Sequence, residues 1–154
     1  MAGKAGPVKL ASTGAMLLGN KDSMVDEVSG RIDQVLATLQ MVDDWMDWED
    51  DLREGSDNSL IDMIRLQQQL SMSDIVTAED VNRCLFTTGV MSRFFSYATA
   101  QHEELLSVRS TYPHLVEFHQ SLLNHLQEAC FSISAKKQSL LRGGFVHYLS
   151  RIVN

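Results

Sequence analysis

Proline is so scarce in this chain that very little interrupts helix formation. Its 154 residues contain two prolines, Pro7 and Pro113, and the long stretch between them runs without a helix breaker. The apolar–polar alternation of half-buried strands is missing, and so are Asn-Gly hairpin turns. We therefore predict an all-α fold, an antiparallel bundle of helices.

Local start and stop signals divide this bundle into segments. Gly55 and the pair Gly143-Gly144 are typical helix ends, Thr77 with Asp80 has the pattern of a capping box, and Pro113 suits a first helical turn. The length fits one domain, residues 1–154 with a core over about 7–153. The predicted helices cover about residues 7–18, 22–53, 59–70, 78–109, 113–141 and 145–152.

Charge and cysteine content narrow the class of protein. The formal net charge of −7 argues against a general nucleic-acid binder, although a small phosphorylated ligand held through cations remains possible. No apolar run approaches the ~20 residues of a membrane span. The isolated Cys84 and Cys130, with no apolar leader at the start, indicate a reducing cytoplasm.

The second predicted helix, residues 22–53, carries an unusual acidic segment. On a helical wheel at about 100° per residue, an aliphatic stripe centred on Ile32 continues into Asp43, Asp47 and Asp50, all within about 60° of Ile32. This pattern predicts that these carboxylates face the interior. Inward carboxylates make little sense for stability alone, because they repel one another and lose hydration.

Two interpretations of the segment stay open. Most charge runs are solvated helix faces, and this one is a candidate for that too. If the aspartates do point inward, Trp45 and Trp48 occupy the side expected to be exposed, so either they contact another helix or chain, or the helix is rotated. The other interpretation is metal binding: Mg²⁺ prefers oxygen ligands and takes one or two carboxylates plus substrate phosphates, and aspartates four apart lie one turn apart.

The segment also resembles a known family. Gln40-Met41-Val42-Asp43-Asp44-Trp45-Met46-Asp47 is similar to the Gln-x-x-Asp-Asp-x-x-Asp box of class I isoprenoid synthases, the second Asp-rich motif of trans-polyprenyl diphosphate synthases. The continuation Asp50-Asp51-Leu52-Arg53-Glu54-Gly55 fits the same enzymes. Asp43, Asp47 and Asp51 also have the spacing of the second metal motif of terpene cyclases, with Asp where Asn, Ser and Glu are usual.

The resemblance implies a fold and a chemistry. The fold would be the C-terminal half of an isoprenoid-synthase bundle, and the chemistry would be ionisation of an allylic diphosphate, held through Mg²⁺, for prenyl transfer or cyclisation. Asp43, Asp44 and Asp47 would be catalytic. The implied Mg²⁺ ligands are Asp43, Asp44, Asp47 and Asp51, and the implied substrate-binding residues are Gln40 and Lys9.

A complete enzyme of this family would also have an earlier Asp-rich motif that holds the other side of the metal cluster. That earlier motif is absent from this sequence, which favours an enzyme part over a complete enzyme. We expect a homodimer or a heteromeric partner, because a half bundle leaves apolar helix faces uncovered. The alternative is a non-catalytic helical partner subunit or interaction module that retains one metal motif.

The histidines give no separate zinc signal. His102-Glu103-Glu104 lacks the second histidine of HExxH, and His114, His119 and His125 are spaced by five and six residues, which is poor for a shared zinc ion. We interpret them as surface or core histidines.

Overall fold

The computed structural model describes residues 10–15, 18–19, 22–71 and 73–152, the last nine by their backbone alone. All regular secondary structure in these ranges is helical, which confirms the predicted fold class. Residues 10–15 are helical, and a 3₁₀ turn follows at Asp22–Met24. The main helices are α1 (Val25–Met46), α2 (Trp48–Glu54), α3 (Ser59–Gln67), α4 (Ala78–Thr87), α5 (Val90–Leu106) and α6 (Pro113–Ile152).

Several helix ends follow directly from local sequence. Gly55 ends α2 with a left-handed backbone, φ 72°, which glycine adopts without steric cost. Thr77 and Asp80 form the predicted capping box at the start of α4, each side chain bonding the other's backbone N–H. Pro113 begins α6 as expected.

The structure departs from the predicted helices at three places. The helix predicted over 22–53 is interrupted at Asp47, which separates α1 from α2. The one predicted over 78–109 is broken at Thr88 and Gly89, where Gly89 has φ 66°. The break predicted at Gly143-Gly144 was wrong, since α6 continues to Ile152; glycine lowers helix propensity by about 1 kcal/mol but does not forbid helical angles.

Helices α5 and α6 form an antiparallel hairpin. The His102 and His119 rings meet near the turn, and the Cys130 thiol bonds the Met91 carbonyl at the far end. Helix α1 packs on both helices of this hairpin. Helix α3 packs on α1, α4 and α5, and α4 also packs on α5 and α6. The apolar core between them includes Val35, Leu60, Ile64, Val81, Val90, Phe94, Leu105 and Leu126.

The last part of α6 extends beyond the packed core. From residue 134 to residue 143 every described side chain is exposed, and Leu140 and Leu141 are each about two-thirds accessible. Among the described helices, none has the length and apolarity that crossing a bilayer requires.

Candidate functional site

Asp44, at the centre of the predicted motif, is the one aspartate of the segment that faces the core. Its side chain is 2% exposed. Gln40 Nε2 donates to Oδ1 at 2.7 Å, the Ser59 backbone N–H donates to Oδ2 at 2.8 Å, and the Ser59 hydroxyl bonds the same oxygen. The carboxylate sits at the first residue of α3, where a negative charge is favourable. Asp44 therefore fastens α1 to the start of α3.

Asn58 extends this network to α2. Its Oδ1 caps α3 by accepting from the backbone N–H groups of Leu60 and Ile61, at 3.0 and 3.1 Å. Its Nδ2 donates to the Asp44 carbonyl and to Asp51 Oδ2, both at 2.8 Å. One buried amide thus joins three helices, and it occupies one oxygen of Asp51. The sequence predicted a helix over residues 59–70, directly after Asn58, but it did not predict the contacts of Asn58 with Asp44 and Asp51.

Asp43 and Asp47 differ from Asp44 in exposure. Both are exposed, as is Asp50, which pairs with Arg53. The prediction that Asp43, Asp47 and Asp50 face the core was therefore wrong. The buried face of α1 passes from Val28 and Ile32 through Thr38 and Met41 to Asp44. Thr38 bonds to His119 of α6, whereas Asp44, farther along the helix, bonds to the start of α3.

Asp47 itself adopts a non-helical backbone, φ −109° and ψ 8°, between the two helices. The backbone ladder nevertheless passes through it: Asp47 N–H donates to the Asp43 carbonyl, and Asp51 N–H donates to the Asp47 carbonyl, both at 2.9 Å. The helix is therefore interrupted at Asp47, but the backbone hydrogen bond between Asp43 and Asp47 keeps these two residues one turn apart.

The four predicted Mg²⁺ ligands consequently divide into two pairs. Asp44 and Asp51 bond to residues at the start of α3, and Asp43 and Asp47 are exposed and lie one turn apart. Within the described residues, no three His, Cys, Asp or Glu side chains are grouped closely enough to hold a metal ion. Two carboxylates are still enough, because Mg²⁺ that also binds phosphate usually takes only one or two carboxylate ligands from the protein. The predicted substrate contact Lys9 lies outside the described residues.

A groove of about 460 Å³ runs beside Asp47. Its walls combine apolar side chains with acidic ones and one lysine, and they come from the segment around the helix break, from α4 and from α6. The lining includes Trp45, Asp47, Trp48, Glu49, Asp50, Leu85, Phe86, Ile133 and Lys136. The helical wheel places Trp45 and Trp48 on the side expected to be exposed. In the structure Trp48 is buried and Trp45 is half-buried, because the helix is rotated relative to the predicted orientation.

A second polar cluster lies inside the bundle, away from the aspartates. His119 is completely buried, with Nδ1 3.0 Å from His102 Nδ1 and Nε2 2.8 Å from Thr38 Oγ1. The planes of the two imidazoles are within 17° of parallel, and their centroids lie 5.2 Å apart. Burial lowers the pKa of both rings, that of His119 to about 4. The sequence predicted a core histidine at most, because the pairing of residues 17 apart depends on the hairpin.

Comparison with known proteins adds no relative: no family model, no curated protein and no solved structure matches this chain.

Proposed function

We propose that this chain is an isoprenoid-synthase-like protein or subunit that binds an allylic diphosphate through Mg²⁺. The observation that carries the proposal is the division of labour within the Gln40 to Asp47 box. Asp44 is buried and fastens the helix, while Asp43 and Asp47 are exposed on adjacent turns of the same segment. A carboxylate pair on a fastened helix is pre-positioned for a cation–diphosphate ligand.

Each residue then has a separate part. Asp43 and Asp47 would offer carboxylate oxygens to the cation. The side-chain amide of Gln40 bonds to Asp44 and so fixes the helical turn that carries Asp43 and Asp47. When bound, Mg²⁺ would withdraw electrons from the leaving diphosphate. Lys136, on the wall of the groove beside Asp47, places a positively charged side chain near the site. Asp51 would contribute through the oxygen that Asn58 does not occupy.

The proposal includes the isoprenoid-synthase type of bundle and a partner. Two carboxylates supply only part of a metal cluster, so prenyl transfer or cyclisation would need further ligands from a second copy or a heteromeric subunit. The exposed apolar residues of α6 are surfaces on which such a chain would pack. Cys84 and Cys130 are both free thiols, in keeping with a cytoplasmic location.

The test uses Mg²⁺ and inorganic pyrophosphate as probes. The chain has two tryptophans, Trp45 and Trp48, and both line the groove beside Asp47, so their fluorescence reports binding there. We expect millimolar Mg²⁺ with pyrophosphate to change the emission and raise Tm, and neither probe alone to do so. Asp43→Ala should abolish the response. Asp62→Ala, which removes an exposed carboxylate on α3, is the matched control and should keep it.

Absence of any response at millimolar Mg²⁺ and pyrophosphate would rule the site out. An equal response in Asp43→Ala and the wild type would show ion binding elsewhere on an acidic protein. Either result would favour the second candidate, a non-catalytic helical partner subunit or interaction module. That candidate is favoured by the lack of a three-carboxylate group in the described part of the chain.

A further inference from the structure

The buried histidine pair connects three helices through a single chain of hydrogen bonds. Thr38 belongs to α1, His102 to α5 and His119 to α6, and the three side chains are 0%, 7% and 0% exposed. The proposed diphosphate site gives these three side chains no role, because none of them lines the groove beside Asp47. The cluster is nevertheless the main polar contact through which α1 touches the α5–α6 hairpin inside the core.

The geometry fixes how many protons the cluster holds. Two Nδ1 atoms 3.0 Å apart require one hydrogen between them, so one ring donates and the other accepts. Gln120 indicates the direction: its Nε2 donates to Asn124 Oδ1 at 3.0 Å, so its side-chain oxygen can accept, and its hydrogen bond with His102 favours a protonated nitrogen on that ring. With His102 Nε2–H as that donor, His102 Nδ1 accepts from His119 Nδ1–H, and His119 Nε2 accepts from the Thr38 hydroxyl. In this arrangement both imidazoles are neutral and each ring nitrogen has a partner.

A further proton breaks this arrangement. On His102 Nδ1 it would place two N–H donors against each other with no acceptor between them. On His119 Nε2 it would place a charge in a fully buried site that has no carboxylate partner. We propose that His102, His119 and Thr38 form an acid-sensitive clasp, which holds α1 against the α5–α6 hairpin while both rings are neutral and opens when they are protonated.

The surrounding charges do not offset this effect. Arg109, in the turn after α5, lines a small cavity beside His102 and opposes a positive charge on that ring. Glu117 of α6 lines the same cavity, but it is exposed and pairs with His114. Glu104 of α5 is also exposed and accepts from Gln34 of α1. The group that α1 places against the rings is the neutral hydroxyl of Thr38.

The direction of the pH effect follows from the two states. Unfolding returns His119 from a pKa of about 4 to its ordinary value of 6.5, so the unfolded chain binds the proton first as pH falls. Stability is therefore complete above about pH 6.5 and is lost as pH falls towards about 4. For His119 alone, the unfolding equilibrium constant should rise about 25-fold between about pH 7.5 and about pH 5. His102, whose pKa is also lowered, adds in the same direction.

The test measures urea unfolding by tryptophan fluorescence at both pH values. His119→Gln should lose the 25-fold component, whereas His125→Gln, which removes an exposed histidine from the same helix, should keep it. Equal pH dependence in the two variants would overturn the clasp. If His119→Gln does not fold, ¹⁵N NMR of the wild-type imidazoles decides: we expect two rings to stay neutral through about pH 5, and titration of all five histidines near their ordinary pKa would refute the proposal.

Discussion

Asp43 and Asp44 are neighbours in sequence, but their side chains lie in different environments. Asp44 is buried among three donors, whereas Asp43, the residue before it, is exposed. Residue type alone cannot distinguish them, because an aspartate serves equally well as a ligand and as a helix-end acceptor. Which one turns inward depends on where Ser59 and Asn58 arrive from α3, and the sequence of α1 does not contain that information.

Replacing each of these aspartates by asparagine should separate the two roles. Asp44→Asn turns one acceptor into a donor that faces either Gln40 or the Ser59 N–H, so we expect a loss of about 1–3 kcal/mol in the free energy of unfolding. Asp43→Asn should change stability by less than about 0.5 kcal/mol. Urea unfolding without added metal measures both. Equal losses in the two variants would contradict the assignment of Asp44 as the structural member.

At the scale of helices, local signals predicted some boundaries well and missed others for identifiable reasons. Gly55, the Thr77 capping box and Pro113 act within one turn, so sequence alone revealed them. The break at Gly89 also has a local cause, a glycine directly after Thr88, but the strong apolar pattern on both sides obscured it. The break at Asp47 is tertiary, since Asn58 binds the Asp44 carbonyl and Asp51 across it.

Gly89 and Gly30 offer a matched test of these helix boundaries. Gly89 has φ 66°, so Gly89→Ala should cost about 1–2 kcal/mol through backbone strain, although nothing lies within 4 Å of the added Cβ. Gly30 is exposed within α1 with equally open surroundings, and Gly30→Ala should stabilise the protein by about 0.5–1 kcal/mol. Thermal unfolding compares them. A stabilising Gly89→Ala would show that α4 and α5 can join into one helix.

At the scale of the whole molecule, charge is segregated along the chain. The net charge is −7, yet no Asp or Glu follows Glu128, and the basic residues of that last stretch include Lys136, Lys137 and Arg142. The acidic segment around Asp47 and the basic part of α6 meet at the groove, where Asp47 and Lys136 both contribute. Farther along, α6 is exposed on all sides through residue 143, so the bundle covers only part of its longest helix.

That exposed part of α6 predicts self-association or partner binding. Phe131, Leu140 and Leu141 are each about two-thirds accessible, and apolar side chains on a helix that extends from a core are favourable to bury against another chain. Light scattering of the wild type should therefore give a mass above 17.3 kDa that falls on dilution. The double substitution Leu140→Glu and Leu141→Glu should shift it towards the monomer, while Ser139→Glu, exposed on the same turn, should have little effect. A wild type that stays monomeric at all concentrations would show that this helix is stable without a second copy and would leave only a heteromeric partner to cover it.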